Sequence, residues 1–204
     1  VTITRLGADE FLIVTPAATI RRDLHWINGH IPDDAHAIAV DITVSDVKPA
    51  FVNHVLPINK GVMLFSDNGQ FLLFTESDIM SPKTARIKKV SGYECDASIT
   101  PVDMGTSVMF TSNVSAYTRA YEATILDDDV PVKMLEQTRV VPEYIPKNVT
   151  MSANSTALGV VTFAAKNSSD LYHFKYFESG EKRDQAAWYS WTLTGTMQHM
   201  LYTG

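Results

Sequence analysis

The stretch GVMLFSDNGQFLLF, residues 61–74, carries the clearest local structural signal in this chain. Two apolar runs flank the tripeptide Asp67-Asn68-Gly69, and Asn and Gly tolerate positive φ better than other residues. An apolar run, a short turn and a second apolar run form the strongest short-range hairpin signal that a sequence offers. We therefore predict an antiparallel hairpin in which residues 61–66 pair with residues 70–75. The tripeptide is expected to form its exposed tip.

The same stretch has a competing interpretation, because Ser66-Asp67-Asn68 also has the form of an element of serine β-lactamases. Ser45 and Lys48 have the spacing of the first β-lactamase element, and Lys83 begins the third. The mechanism requires that serine and lysine lie one helical turn apart, but Lys48 precedes Pro49, which disfavours helix at that position. The sequence therefore favours a turn over a catalytic element.

The hairpin pattern recurs along the chain. In each copy an apolar run containing Phe is followed by a polar turn with Asn and then by an aromatic-rich run, at residues 61–74, 106–121 and 158–176. The Phe residues are Phe65, Phe110 and Phe163, and the Asn residues are Asn68, Asn113 and Asn167. The Phe spacings of 45 and 53 residues lie near the period of a four-stranded propeller blade, about 40 to 50 residues. Three hairpins of any antiparallel sheet would also produce this pattern.

Alternation of apolar and polar residues dominates the rest of the chain. Residues 38–44, 117–126 and 171–177 are predicted strands, because they alternate or are rich in aromatic and β-branched residues. A weak helical pattern covers residues 17–27, close after Pro16. We expect an all-β, mainly antiparallel fold with a propeller-like array of small sheets. An entry segment at residues 1–36 would precede a propeller-like region at residues 37–204.

Composition excludes several classes of protein. The 204 residues carry a net charge of −6 with acids and bases mixed along the chain, so a basic surface for nucleic acid is disfavoured. No apolar run reaches the roughly 18 residues of a membrane span. The first residues do not form a signal peptide, and the absence of an initiator Met suggests a piece of a longer chain. The single cysteine, Cys95, excludes an internal disulfide and is expected to be buried.

Four sequons raise the question of secretion. Half of the eight asparagines precede x-Ser/Thr: Asn113, Asn148, Asn154 and Asn167. An excess of sequons is typical of a secreted glycoprotein. The alternative is that Asn, Ser and Thr crowd together in turns, which we favour.

Candidate metal ligands and catalytic acids are present without a defined pattern. His25, His30, His36, Asp33 and Asp34 lie within twelve residues, but no pair has a known ligand spacing, so a polar loop is favoured. Scattered carboxylates could serve a glycosidase, namely Glu76, Asp78, Glu94, Asp96, Glu143 and Glu178. Asp127-Asp128-Asp129 lacks the spacing of an EF-hand calcium loop. None of these groups is a strong signal of catalysis, and no cofactor is expected.

Two tryptophans near residue 190 are candidates for packing and for an interface. Trp188 and Trp191 are three residues apart, so in an extended strand they face opposite sides. One ring is expected against a neighbouring sheet and the other at an interface, because large aromatics dominate both environments.

Several stretches, taken in order, resemble the tail tubular protein B family, the nozzle proteins of short-tailed bacteriophages. They are Arg5-Leu6-Gly7, Asp33-Asp34, residues 40–46, Pro57, residues 59–73, Ser81-Pro82-Lys83-Thr84, Val141-Pro142-Glu143-Tyr144-Ile145-Pro146, residues 171–177, Gln185-Ala186-Ala187-Trp188 and Trp191. The resemblance covers about residues 40–195, whereas residues 8–32 match poorly. Family members are several times longer than this chain.

The resemblance implies a structural virion protein without catalysis. It implies a homo-oligomer, a six-fold ring that meets the tail adaptor protein and the tail fibres. Genomic DNA would pass through its lumen without specific binding. The protein would be assembled in the cytoplasm of a bacterial host and become part of the phage tail, without membrane insertion, and there the sequons stay bare and Cys95 stays reduced. The alternative is an extracellular β-propeller module that binds or hydrolyses glycans.

Overall fold

The computed structural model describes residues 2–5, 8, 11–14, 19–32, 50–58, 61–75, 84–125, 132–179 and 182–202. The chain divides into two compact units, Val1–Glu94 and Cys95–Gly204. The predicted boundary at residues 36 and 37 lies outside the described residues and stays a prediction.

The first unit begins with a two-stranded antiparallel ribbon and a short helix. Strands β1 (Thr2–Arg5) and β2 (Phe11–Val14) form the ribbon, and helix α1 spans Ile20–Asn28. Asp23 lies in the first turn of the helix, where a carboxylate interacts favourably with the positive end of the helix dipole. The weak helical pattern at residues 17–27 thus marks a real helix. No helix in the described residues is long and apolar enough to cross a membrane.

Residues 61–74 form the central hairpin of a four-stranded sheet, which we call sheet I. Its antiparallel strands follow one another in chain order: β3 (Val52–Ile58), β4 (Gly61–Ser66), β5 (Gly69–Thr75) and β6 (Ala85–Ser91). Consecutive side chains of the two central strands are buried, so both faces of this hairpin are buried. One face contributes a small core of Val62, Leu64, Phe71 and Leu73.

The turn of this hairpin is shorter than predicted. Only Asp67 and Asn68 lie between the strands, because Gly69 already pairs with Ser66. Gly69 has φ +137°, and a Cβ atom there would lie 2.3 Å from the carbonyl oxygen of Ser91. The positive φ therefore belongs to Gly69 and not to Asn68. Asp67 is held by Phe51, whose N–H donates to Asp67 Oδ1 at 2.8 Å while the Asp67 N–H donates back to Phe51 O at 3.2 Å.

The second unit contains two further antiparallel sheets. Sheet II consists of β7 (Val102–Asp103), β8 (Ser107–Val114), β9 (Tyr117–Ile125), β10 (Val132–Glu136) and β11 (Ile145–Pro146), where β11 pairs with the start of β9. Sheet III consists of β12 (Met151–Ser155), β13 (Val160–Ala164), β14 (Asp170–Ser179) and β15 (Lys182–Thr192). Strands β7 to β10 of sheet II and β12 to β15 of sheet III pair in chain order. The fold is therefore all-β and mainly antiparallel.

The recurrence read from the sequence is present in the three sheets. Each contains four strands in consecutive antiparallel order, and Phe65, Phe110 and Phe163 lie buried on the second strand of each. The prediction for Asn113 was wrong. Asn113 belongs to β8 and pairs with Thr118, because the turn of this hairpin is at Ser115, whose φ is +59°.

Sheets II and III share one apolar core. Its buried members are Ile99, Val102, Met104, Met109, Ala120, Ile145, Val149, Val161, Phe163, Phe174 and Tyr176. Tyr172, Phe174 and Tyr176 alternate along β14, so the strand directs all three aromatic rings to this side. The predicted alternation in residues 171–177 is confirmed.

The segment at residues 193–202 folds back against one end of the opposite face of sheet III. The Met197 N–H donates to Ser168 O at 2.7 Å, and Asn167 N–H donates to Met197 O at 2.8 Å. The hydroxyl of Tyr202 lies 2.7 Å from Thr162 Oγ1 on β13. Thr162 and His173 are consequently buried, although they face away from the shared core.

Candidate functional site

A buried polar network joins sheet II to sheet III within the second unit. We call it the Arg183 network; its members are Ser107, Glu122, Gln137, Glu178 and Arg183. Glu122 on β9 is buried, and Arg183 on β15 donates to both of its carboxylate oxygens, with Nη2 2.7 Å from Oε1. Ser107 Oγ donates to Glu122 Oε1 at 2.5 Å, and Gln137 Nε2 donates to Oε2. The buried carboxylate is therefore surrounded by donors, as a buried charge requires.

Arg183 is held from several sides. It also forms an ion pair with Glu178 on β14, and its guanidinium carbon lies 5.1 Å from the ring centre of Tyr176 and 5.9 Å from that of Phe174. Burial disfavours the charged form of Arg183, but the hydrogen bonds and charges of Glu122 and Glu178 outweigh it and raise the pKa of Arg183. The guanidinium is therefore a permanent charge that fastens β15 to β9.

Trp188 lies beside this network and faces the shared core. Its indole Nε1 donates to Gln137 O at 2.9 Å, and its ring centre lies 5.0 Å from that of Phe174 and 6.2 Å from that of Phe163. The ring centre of Tyr144 lies 6.1 Å from that of Trp188. The half-buried indole thus supplies apolar area to the core and a hydrogen bond to the sheet II side.

Trp191 lies on the other side of β15. Its side chain is 57% exposed, and its ring meets His173 edge-on at 4.6 Å and lies 5.8 Å from Tyr189. The opposite orientation of Trp188 and Trp191 is what their spacing predicts for a strand. One ring packs in the core, and the other remains available at the surface.

His173 is the buried member of this second aromatic group. Its Nδ1 lies 2.8 Å from Thr162 Oγ1, and its ring stacks on Tyr189. Nε2 is buried and has no hydrogen-bond partner among the residues that the structure describes. Burial lowers the pKa of His173, so the imidazole is neutral at pH 7.

The structure brings some of the sequence-predicted residues together and leaves others apart. Tyr144 follows two successive turns, in which Val141 N–H donates to Thr138 O and Tyr144 N–H donates to Val141 O, and these turns direct its ring towards Tyr172. Pro142 is exposed between them, and Pro146 pairs with Tyr117 in sheet II. Gln185 is exposed on β15. Asp67, Asn68 and Gly69 lie at the sheet I hairpin, and Pro82 lies outside the described residues.

The serine and histidine candidates have structural contacts. Ser66 Oγ donates to Gly69 O at 2.6 Å and accepts from the N–H of Asn68 at 3.2 Å. The Nδ1 of His30 lies 2.7 Å from Trp26 O, and its ring stacks on the indole of Trp26. His36, Asp33, Asp34, Ser45 and Lys48 lie outside the described residues. In the described part of the chain, no three His, Cys, Asp or Glu side chains are grouped so that they could hold a metal ion.

The candidate carboxylates are dispersed. Glu94 and Glu143 are exposed, and Glu178 belongs to the Arg183 network. Asp96 accepts from the N–H and hydroxyl of Ser98 and from the amide of Asn113, so it stabilises a turn. Glu76, Asp78 and Asp127-Asp128-Asp129 lie outside the described residues.

Cys95 is buried as expected. Burial, assisted by the nearby charge of Asp96, raises the pKa of the Cys95 thiol to about 12. The thiol is therefore protonated at pH 7 and is a poor nucleophile.

Sequence reasoning missed the Arg183 network. Arg183 and Glu122 are 61 residues apart and belong to different sheets. Neither residue stands in a motif, and no short-range pattern connects them. The only signal was a Glu at a position of β9 where alternation would place a side chain in the interior.

The fold and these contacts define a β-rich structural module in which sheets II and III are fastened to each other by a buried ion pair and by aromatic packing. The family model described as bacteriophage nozzle protein matches residues 34–203. The chain therefore belongs to the bacteriophage nozzle protein family and is a structural component of a phage tail. It is 24% identical over 161 residues to the tail tubular protein gp12 of Escherichia phage T7. The aligned region covers 78% of this chain and 20% of that protein. The chain thus spans about a fifth of the length of that relative.

Proposed function

We propose that this chain forms a β-rich part of the wall of the phage tail nozzle, which retains the genome and then conducts it into the host. The family assignment supports the nozzle. The single observation that carries a role as a wall is the junction between sheets II and III, which combines the Arg183 network with a shared core. A wall of small sheets stays closed only if neighbouring sheets are fastened to one another.

The proposed architecture is a propeller-like array in a six-fold ring of copies. Three sheets with the same consecutive four-strand order support the array. In each sheet four strands follow one another as in a propeller blade, and sheet II has β11 as a fifth strand. The resemblance of the sequence to tail tubular proteins supports the ring, which meets the tail adaptor protein and the tail fibres.

The proposed passage of DNA requires a wall that does not hold it. The net charge of −6 and the mixing of acids and bases along the chain support this, because an acidic wall repels phosphates. Arg183, the partly buried cation of the network, is already paired with two carboxylates. Genomic DNA would therefore slide through the lumen without specific binding.

Assembly in the bacterial cytoplasm and residence in the virion complete the proposal. The Nδ2 atoms of Asn113 and Asn154, at which a glycan would be attached, donate hydrogen bonds to Asp96 and to Asp103 O. These contacts support unmodified sequons. The family assignment does not favour the secreted glycan-binding alternative, and we propose that the segment works by assembly and not by catalysis.

The test is complementation of a nozzle-deficient phage with the full-length nozzle protein that carries this chain, followed by electron microscopy of the tails. Trp188→Ala should reduce the yield of complete tails, because it removes the ring that both sheets contact. Glu143→Gln, at an exposed candidate catalytic acid, and His30→Ala, at an exposed candidate metal ligand, should leave tails and infectivity near normal. If Glu143→Gln abolished infection while tails formed normally, the proposal of a purely structural role would fail.

A further inference from the structure

The outer edge of β15 is a long row of backbone groups without a strand beside it. In sheet III, β15 pairs with β14 alone, and the described residues of the second unit place no backbone opposite its other edge. The strand has eleven residues, about twice the usual strand length. From Gln185 to Thr192 it contains no charged residue, no Pro and no Gly.

The hydrogen bonds of the sheet show which groups point outward. Leu193 N–H donates to Ser169 O at 2.9 Å, in the same register that pairs Trp191 with Leu171 and Tyr189 with His173. Because antiparallel strands alternate in the direction of their N–H groups, odd-numbered residues of this stretch bond to β14. The N–H groups of Ala186, Trp188, Ser190 and Thr192 therefore point away from the sheet.

Other edge strands of the three sheets are protected against pairing with a further strand. In sheet I, β3 contains Pro57 and a bulge, and β6 carries Arg86, Lys88 and Lys89. In sheet II, β10 carries Lys133 and Glu136 and β7 has only two residues. Such devices commonly prevent edge-to-edge association.

The remaining edge, β12 of sheet III, is covered. Ser152 Oγ donates to Thr100 O at 2.6 Å, and Asn154 Nδ2 donates to Asp103 O, so the segment before β8 lies beside this edge. Among the described strands of the three sheets, β15 alone is long, uncharged over eight residues and uncovered. An unprotected edge of this kind is a template for an added strand.

We propose that the outer edge of β15 pairs with an extended strand of a second copy of this chain and forms one of the contacts that assemble the nozzle. This inference rests on the proposed function, in which the segment works as part of a ring of copies. The main-chain groups of Ala186, Trp188, Ser190 and Thr192 would bond to the added strand. Trp191, exposed beside this edge, would add apolar contact area.

The charge of the chain favours a second copy as the partner. Each copy contains this chain, whose net charge is −6, so contact between these segments of two copies is least opposed where the surface carries no charge. A different protein would more often be selected by opposite charges across the interface. The stretch from Gln185 to Thr192 offers no charge for such selection and no like charge against a second copy.

The test uses two adjacent proline variants in the full-length nozzle protein. Ala186→Pro removes an outward N–H, a change that edge strands tolerate, so the melting temperature of the protein should hardly change. Association between copies, measured by light scattering after size-exclusion chromatography, should become at least about tenfold weaker. Ala187→Pro is the matched control, because it removes a bond to β14 and should lower the melting temperature.

Hydrogen exchange provides a readout that a purely structural role would not change. The amides of Ala186, Trp188, Ser190 and Thr192 should exchange quickly in the free protein and slowly in the assembled tail. The amides of Ala187, Tyr189 and Trp191 should be protected in both states. Equal exchange at the four outward amides in the two states would overturn the proposal.

A charge variant separates this inference from the proposed function. Ser190→Lys places on β15 the kind of charge that protects β6, whereas Ala157→Lys places it on an exposed turn of the same sheet. In complementation of the nozzle-deficient phage, Ser190→Lys should lose complete tails and Ala157→Lys should not. Normal tails with both variants would overturn the edge contact and leave the nozzle role standing. Absence of the unmodified protein from tails would overturn the nozzle role itself.

Discussion

Arg183 of β15 donates to both carboxylate oxygens of Glu122 of β9, although 61 residues separate them along the chain. The two strands belong to different sheets, so this ion pair fastens sheet III to sheet II. Removing one partner leaves the other as an uncompensated buried charge, which costs more than the pair itself contributes.

Arg183→Met should therefore lower the free energy of unfolding of the second unit by about 3 to 5 kcal/mol. Urea denaturation of the purified protein measures this loss in the free energy of unfolding. Arg22→Met is the control, since Arg22 forms an exposed pair with Asp23 that should contribute less than about 1 kcal/mol. Equal losses for both variants would mean that Glu122 is solvated in solution and that the network does not fasten the sheets.

Gly69→Ala should destabilise sheet I by more than about 1 kcal/mol, because φ +137° is unfavourable for a residue with a Cβ atom. The added atom would also lie 2.3 Å from Ser91 O. Gly92→Ala is the comparison, because a Cβ atom there meets nothing within 4 Å. A melting temperature that is the same for both variants would contradict the described hairpin.

The two tryptophans of β15 should differ in what they stabilise. Trp188→Ala should cost roughly 2 to 4 kcal/mol, somewhat less than a fully buried Trp, because the indole packs on Phe163 and Phe174 and bonds to Gln137 O. Trp191→Ala should change stability by less than about 1 kcal/mol, since the ring is largely exposed, yet it should weaken association. Thermal unfolding and light scattering measure the two effects. A large loss of stability for Trp191→Ala would show that the ring is not at a free surface.

Each of Phe65, Phe110 and Phe163 should be costly to truncate. All three are almost fully buried, so Phe→Ala should reduce the free energy of unfolding by about 3 to 5 kcal/mol. Phe177→Ala is the control, because its ring is exposed on β14 and should contribute less than about 1 kcal/mol. Denaturant unfolding distinguishes them, and a small loss at any of the three positions would argue against equivalent places in the three sheets.

His173 should make stability depend on pH. Burial lowers the pKa of His173 in the folded state below 6.5, so the unfolded chain binds the proton more readily. The contribution is fully present above pH 6.5 and is lost as the pH falls towards the folded-state pKa. Melting temperatures measured between pH 7.5 and pH 5 should fall less steeply for His173→Phe than for the unmodified protein. Equal slopes for His173→Phe and for the unmodified protein would contradict the burial of His173.

The sequence predicted those features of the fold that are determined by neighbouring residues. The hairpin at residues 61–74 follows from two apolar runs around Asn and Gly, and the orientation of Trp188 and Trp191 follows from the two-residue period of a strand. Asn113 was misassigned because Ser115, which carries no strong turn signal, adopts the positive φ. The turn therefore lies two residues later than the Asn suggests.

The contacts that fasten the sheets could not be predicted in this way. Glu122 and Arg183 meet only when β9 and β15 are both in place, and the bond from Trp188 to Gln137 O also joins distant segments. Periodicity indicates which face of a strand is buried, but it carries no information about which strand of another sheet lies opposite. The family resemblance supplied the function because it used the order of many short motifs instead of one.

The contact of Tyr202 with β13 has a consequence for how the chain folds during its synthesis on the ribosome. Sheet I closes through strands that are neighbours in the sequence, whereas Thr162 receives its contact from Tyr202, 40 residues later. A nascent chain that has formed β13 and β14 therefore displays Thr162 and His173 to solvent until the following segment is translated and folds back. During that interval this part of sheet III is open to contact with other nascent chains.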